Sequence, residues 1–301
     1  MIVSLIKQIP EMRNYRMIAP INKGLSSDKK YLIYMANSND KLLLRTFNPE
    51  QFEVKKCEYF ILEQMLVLGV VCPKPIAIGQ TEKVGYMIVT YIEGNDGENE
   101  ILTVSKEEQF SIGYRAGVEL RKMHQLAAPE HISSWYTRKV AKHNRYVEAY
   151  LSCGVKVKND EKIIGFIDAN LHLMKQRPNV FQHDDFHLSN LIFHDKQFAG
   201  VIDFERHDWG DPIHEFLKIG IFSRGISTKF STGQIKGYFN GAEPDEEFWR
   251  LYSLYLAMCV FSSVVWTLNT FPEDIDNALD KIYLFLDDHD YFSQWKPKWY
   301  T

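Results

Sequence analysis

The first ninety residues alternate short apolar runs with polar breaks. "YRMIAPINKG", "KKYLIYMA" and "DKLLLRTF" are separated by "NKGLSSD" and "NSND", turn-forming segments that predict three consecutive antiparallel strands. From Pro49 to Gly69, Phe52, Tyr59, Leu62, Met65 and Leu66 recur among charges at helical spacing, and Gly69 supplies a C-terminal stop. "KPIAIGQTEKVGYMIVTYIEG" predicts two further strands about a turn near Glu82 to Gly85. The order strand, strand, strand, helix, strand, strand builds a five-stranded antiparallel sheet with one helix packed on it.

Beyond "YIEGNDGEN" the pattern changes. "SKEEQFSIGYRAGVELRKMHQL" opens with Ser105 and, three residues on, Glu108, a capping signature that predicts a helix running to His124. Asn159 to Lys175 and Asp245 to Asn269 also carry helical spacing, interrupted by the strand-like "NLIFHD" and "FAGVIDF". The expected architecture is α+β: a small sheet-rich lobe with one helix over residues 1–93, a polar hinge near Glu93, and a larger, mainly helical lobe over residues 94–301. No internal repeat or low-complexity stretch is evident.

One segment, Leu251 to Phe271, carries no charge and is long enough to span a bilayer. Its Ser, Thr, Tyr and Asn residues, and flanks of mixed sign at Glu246, Glu247, Arg250, Glu273 and Asp274, predict a buried core helix instead. The N-terminal "MIVSLIKQIPEMRNY" lacks the apolar core and cleavage site of a signal peptide. Hydrophobic residues make up 45%, charged residues 25%, and the formal net charge is −4, which excludes a disordered acidic chain and a basic nucleic-acid binder. Cys57, Cys72, Cys153 and Cys259 are scattered and form no CxxC pair, so reduced thiols in a cytoplasmic protein are expected.

The chemistry concentrates in "FQHDDFHLSNLIFHDKQFAGVIDFERHDWGDP", Phe181 to Pro212. Asp185 stands five residues before Asn190, and a hairpin through "NLIFHDKQFAGVIDF" would bring Asn190 and Asp203 together. An amide oxygen with a carboxylate is a hard-oxygen set suited to magnesium shared with phosphate oxygens. Asp185 could then face the hydroxyl that attacks phosphorus, as phosphoryl transfer requires. Singly, these three residues would read as turn and cap residues; their joint spacing is what points to chemistry. His183, His187, His194, His207 and His214 suggest zinc at first sight. The HExxH glutamate is missing, however, and the hairpin would spread the histidines apart. No G-x-S-x-G elbow supports a serine hydrolase.

"HDDFHLSN" followed by "VIDFERHDWGDP" resembles the H-x-D-x-x-x-x-N loop and metal-binding Asp segment of the aminoglycoside phosphotransferase and choline kinase family, which has a bilobal protein-kinase-like fold. The resemblance implies that Asp185 is the catalytic base, His183 the histidine bracing its loop, Asn190 and Asp203 the metal ligands, and Asp211 a supporting residue. Arg45 matches the third-strand cation on the phosphates, and Glu58 the helix acid that holds it. Asn22 to Asp28 matches the phosphate loop, with Ser26 and Ser27 as its hydroxyls, and the Thr90 carbonyl and Ile92 N–H match the adenine hinge. Three departures stand out: Asp184 replaces the usual small residue, the phosphate loop has only Gly24, and Arg45 replaces Lys.

The activity implied is a magnesium-dependent transfer from ATP or GTP to a hydroxyl of a small molecule, most readily an aminoglycoside or similar antibiotic. An amino alcohol or sugar acceptor and a non-catalytic nucleotide binder are the alternatives. A protein kinase is disfavoured because no A-P-E segment follows Asp203. No nucleic-acid or membrane partner is expected, and the chain would be a monomer or homodimer. Asp208, Glu215 and the run Asp245 to Glu247 are candidate acceptor-binding acids, the run being equally explicable as a helix N-terminus.

Overall fold

In this computed structural model, residues 2–22, 27–36 and 38–301 are described, residues 3 and 4 by backbone alone. Strands β1 (Tyr15–Ile21), β2 (Lys29–Met35), β3 (Lys41–Phe47), β4 (Pro75–Gln80) and β5 (Gly85–Thr90) form one sheet in the order β1-β2-β3-β5-β4, antiparallel throughout. Two-residue alternation divides its faces. Leu42 and Leu44 of β3 join Ile33 and Ile88 in a core closed by Leu5, Ile6, Ile9 and Met12. Those last four lie on and just after an N-terminal helix, α1 (Ile2–Gln8), which the strand pattern does not announce. Arg45, one residue on from Leu44, faces the other way and meets α2 (Phe52–Val67). Gly69 ends that helix with φ +70°, the left-handed conformation that glycine adopts without strain.

Residue contacts divide the chain into two compact units. The first comprises Met1–Asn95 together with Ile192–His194 and Ala199–Glu205, so a stretch from late in the chain, carrying Asp203 and Glu205, is part of it. The hairpin strands β8 (Leu191–His194) and β9 (Gln197–Val201) supply that stretch. Val201 N–H donates to the Val71 carbonyl at 2.9 Å. A Cβ on Gly200 would lie 2.6 Å from Ile92 Cδ1. The second strand of the hairpin stops short of "IDF" because Asp203 turns to φ +68°.

The second unit begins with β6 (Asn95–Asp96), whose Asp96 opens it, and the short helix α3 (Gly97–Glu100). Its longer helices are α4 (Lys106–Met123), α5 (Trp135–Ser152), α6 (Asp160–Asn170), α8 (Thr228–Tyr238), α9 (Glu246–Thr270) and α10 (Ile275–Asp288). The Ser105 and Glu108 capping box is formed at the start of α4. A two-stranded ladder pairs β7 (Val180–Gln182) with β10 (Asp208–Gly210). A π-helical turn at Ile219–Ser223 leads into the short α7 (Arg224–Ile226). In α9, the uncharged segment has 72% of its most apolar window buried, as suits a helix that is hydrophobic on all sides and packed in a domain core.

Helices α4 and α8 approach by an exchange of glycines. A Cβ on Gly113 or Gly117 would lie 2.1 or 2.0 Å from the carbonyl oxygens of Phe230 and Gln234. A Cβ on Gly233 or Gly237 would lie 2.2 or 1.9 Å from those of Phe110 and Tyr114. Both helices thus carry glycines four residues apart, which lets backbones touch and Cα–H groups face carbonyls. Ser227 donates to Gln109 Oε1 at 2.6 Å at one end of the contact. Gly117→Val is expected to cost at least about 2 kcal/mol, because backbone cannot give way as a flexible side chain does. An unchanged denaturation midpoint in that variant would mean that the helices separate freely.

Candidate active site

The β7–β10 ladder sets the loop that follows it. Register pairs Gln182 with Asp208 and Phe181 with Trp209, so His183 and Asp211 emerge from neighbouring strands. Gln182 Nε2 donates to the Asp211 carbonyl at 2.6 Å. Asp211 itself is fully buried. Its carboxylate receives Arg177 Nε at 2.8 Å, the Tyr255 hydroxyl at 2.7 Å and the Ile213 N–H at 2.9 Å, so it caps the turn Pro212–Phe216 and ties it to α9. His183 is fully buried with its ring edge-to-face to Phe186 at 5.9 Å.

Asp184 has φ +57°. That explains the small residue of the resembling motif: glycine enters the left-handed region freely, and Asp is among the few others that tolerate it. Its N–H donates to Glu215 Oε2 at 3.1 Å, and the Phe186 N–H donates to Oε1 at 3.4 Å. Glu215 is 1% exposed. It is therefore a brace under the loop and not an acceptor-binding acid. Burial, reinforced by the Asp184 charge, pushes its carboxyl up to about 8. His214 lies 3.9 Å from Asp184 through Nδ1. Burial, then the charges of Lys139, Lys142 and Lys218, hold His214 well below its ordinary range, so its Nε2 can accept from Lys139 at 2.8 Å.

Asp185 stands at the open side of this brace. Asn190 Nδ2 donates to its carbonyl at 2.9 Å and to Oδ2 at 3.1 Å. His187 Nε2 lies 3.2 Å and Lys218 Nζ 3.4 Å from Oδ1. Burial would raise the Asp185 carboxyl, but the His187 hydrogen bond and the charges of Lys218, His187 and His183 hold it well below the usual carboxylate range. It is ionised at any physiological pH. With the Asn190 amide nitrogen spent on Asp185, the amide oxygen is the atom left to ligate.

Within the first unit, Arg45 donates to Asp28 Oδ2 from Nε at 2.9 Å and from Nη2 at 2.7 Å, and to Glu205 Oε2 at 2.9 Å. It also pairs closely with Glu58. Lys55 Nζ donates to Asp28 Oδ2 and to Glu205 Oε1, each at 2.8 Å. Arg45, Asp28, Lys55 and Glu205 thus form a closed ring of alternating charge. The Lys55 and Asp28 side chains are each 1% exposed, while Glu205, at 29%, is the open member. Burial opposes the charge on Asp28, but hydrogen bonds and charge from Lys55 and Arg45 hold its carboxyl low. Glu58 is pushed up, burial outweighing Arg45. Nothing in the chain's pattern singled out Lys55 or Glu205; the only trace is Lys55 lying three residues before Glu58, on the same helix face.

Ser26 lies outside the described residues, and Ser27 is exposed. Thr90 binds the Lys74 main chain through its N–H and its hydroxyl, at 2.9 and 2.8 Å. Asp203 is an exposed carboxylate of the first unit. Asp203 in the first unit and the Asn190 amide oxygen in the second are each hard oxygen donors of the kind magnesium takes. Of the other candidate acids, Asp208 receives Arg138 at 3.1 Å. Asp245 caps α9 by accepting the Phe248 N–H at 2.8 Å, and Glu246 and Glu247 pair with Arg250 and Arg177. This is a helix N-terminus engaged with its own neighbours, not an acidic wall.

Lys55→Met should lower stability by about 3–5 kcal/mol by stranding buried carboxylates, readable from denaturant midpoints; a loss under about 1 kcal/mol would be that of a surface pair. Glu215 supplies a pH test. Its folded-state pKa is raised from 4.5 to about 8, so between those values the folded chain holds a proton that the unfolded chain has released. Its contribution therefore falls as pH rises across that window. Glu215→Gln should gain stability relative to the parent as pH rises, and a gap independent of pH would mean that Glu215 is ionised throughout.

A family model described as a phosphotransferase enzyme family matches residues 18–252. No curated protein sequence matches the chain. Among solved structures, the gentamicin complex of APH(2")-IIa has a TM-score of 0.65 at 14% identity, covering 94% of each chain. ADP-bound aminoglycoside phosphotransferase APH(2'')-Ib has a TM-score of 0.64 at 16% identity over 94% of this chain and 98% of that one. A thermostable mutant of APH(4)-Ia with AMP-PNP and hygromycin B has a TM-score of 0.68 at 14% identity, over 94% and 97%. The fold is that of the protein-kinase-like aminoglycoside phosphotransferases.

Proposed function

The chain belongs to the phosphotransferase enzyme family and is a small-molecule kinase, and we propose that it transfers the terminal phosphoryl group of ATP or GTP, with magnesium, to a hydroxyl of its acceptor. The observation that carries this reading is Asp185, kept ionised by His187 and Lys218 and joined to Asn190 on one short loop. A fixed carboxylate orients the acceptor hydroxyl and receives its proton as the new P–O bond forms. His183, Glu215 and Asp211 act through the loop, by holding its backbone.

Arg45 is the cation offered to the nucleotide phosphates, with Glu58 orienting it. Ser26 and Ser27 would add hydroxyls from the phosphate loop. The Thr90 carbonyl and Ile92 N–H would meet the adenine edge. Asn190 and Asp203 would hold the magnesium, which when bound neutralises phosphate charge. Solved structures of similar phosphotransferases with ADP or AMP-PNP bound support a nucleotide co-substrate. The scattered cysteines support a reducing, cytoplasmic setting.

Complexes of such phosphotransferases with gentamicin, streptomycin and hygromycin B support a hydroxylated antibiotic as acceptor. At 13–16% identity the likeness carries the fold and leaves the choice among hydroxylated compounds to the chain's own residues. An amino alcohol or a sugar is the second reading.

Asp185→Asn should lower turnover by about 10²-fold to 10⁴-fold with nucleotide binding intact; near-normal turnover would remove Asp185 from the mechanism. Asp203→Ala should weaken magnesium-dependent nucleotide binding in titration calorimetry, and unchanged affinity would rule out its role as a ligand.

A further inference from the structure

A cleft of about 230 Å³ in the second unit begins at His187, the residue in contact with Asp185 Oδ1. Its main wall is a stacked pair, His187 on Phe222, with ring centroids 4.6 Å apart and planes 30° from parallel. Leu188, Ile221, Ile226 and Leu284 add aliphatic walls. The π-helical turn presents Ile221 and Phe222 side by side, and such turns accumulate at functional sites.

The charges in this cleft balance. Among the described residues that line it, Glu98 is the one carboxylate, already engaged by the Ser189 hydroxyl, and Lys281 is the one ammonium. Lys281 Nζ lies 5.6 Å from the Phe222 ring centre, and Lys218, the partner of Asp185, lies 5.8 Å from the same ring. Two ammonium groups thus flank the aromatic wall. Asp185 already answers the Lys218 charge, so an acceptor bearing several ammonium groups would find Glu98 as the one lining carboxylate to pair with, and each unpaired charge taken from water is costly. An apolar body would instead cover the Phe222 and His187 rings and displace water from the aliphatic walls.

We propose, on the phosphotransferase reading above, that the acceptor is a hydroxylated molecule with an apolar ring body and at most one ammonium group, seated on Phe222 and His187 with its hydroxyl toward Asp185. A single ammonium or a second hydroxyl pairs with Glu98. A polyamine sugar is the acceptor that this cleft selects against.

The test uses the full chain with magnesium and ATP, and three probes: gentamicin, a phenyl-substituted amino-diol, and a polycyclic alcohol carrying one tertiary amine. Calorimetry measures binding and ADP release measures turnover. At least one single-amine probe should bind, and react, about tenfold or more better than gentamicin. Phe222→Ala should weaken that binding by about tenfold or more, and Lys281→Glu should shift preference toward gentamicin. Tighter binding of gentamicin by the parent, or no binding of either single-amine probe, overturns the acceptor assignment whether or not ADP is released. Binding of a single-amine probe without ADP release from it or from a wider panel of alcohols overturns the phosphotransferase reading, and leaves the cleft's selectivity standing.

Discussion

The first unit depends on a closed ring of four buried or half-buried charges, Arg45, Asp28, Lys55 and Glu205. A lysine that is 1% exposed exists only where carboxylates surround it. The ring therefore holds together β3, α2, the residue just before β2, and the segment after β9. It draws the stretch carrying Asp203 into the same unit as the sheet. The half-buried member, Glu205, bridges both cations much as a phosphate would, by two oxygens against two donors.

The second unit solves a different problem, that of holding an acidic loop open beside buried charge. Glu215 accepts the loop N–H groups of Asp184 and Phe186, on either side of Asp185, Asp211 ties the following turn to Arg177 and Tyr255, and Asp184 takes a left-handed conformation. Asp185 is left with its carboxylate toward His187, Lys218 and Asn190. Strain at one backbone position is offset by the buried hydrogen bonds on either side. In the same unit, glycines of α4 and α8 let two helices meet backbone to backbone, which leaves that contact little freedom to drift.

Local patterns foretold many of the elements. The five antiparallel strands with one helix among them, the α2 stop at Gly69, the Ser105 capping box and the long buried α9 follow from spacing and turn chemistry, which operate over a few residues. α1 was missed because seven residues are too few to show a helical period, and its apolar residues gain their meaning from the face of the sheet they cover. β7 and β10 are three residues each, too short to show a period. Glu215, read as a candidate for the acceptor, turned out to be buried because its role depends on two N–H groups about thirty positions earlier.

By itself the sequence determined most of the longer elements and marked one acidic loop, because periodicity, caps and the spacing of Asp185, Asn190 and Asp203 are written along the chain. Tertiary structure alone decided which charges meet. Arg45 and Glu205 are 160 positions apart, and Lys55 and Glu205 are 150. No pattern within a window of residues encodes such a pairing; it arises when burial makes an unpaired charge too costly to leave alone. The same holds for the wall beside Asp185, where Phe222, Lys281 and Glu98 come from separate parts of the chain and only their juxtaposition sets what the cleft accepts.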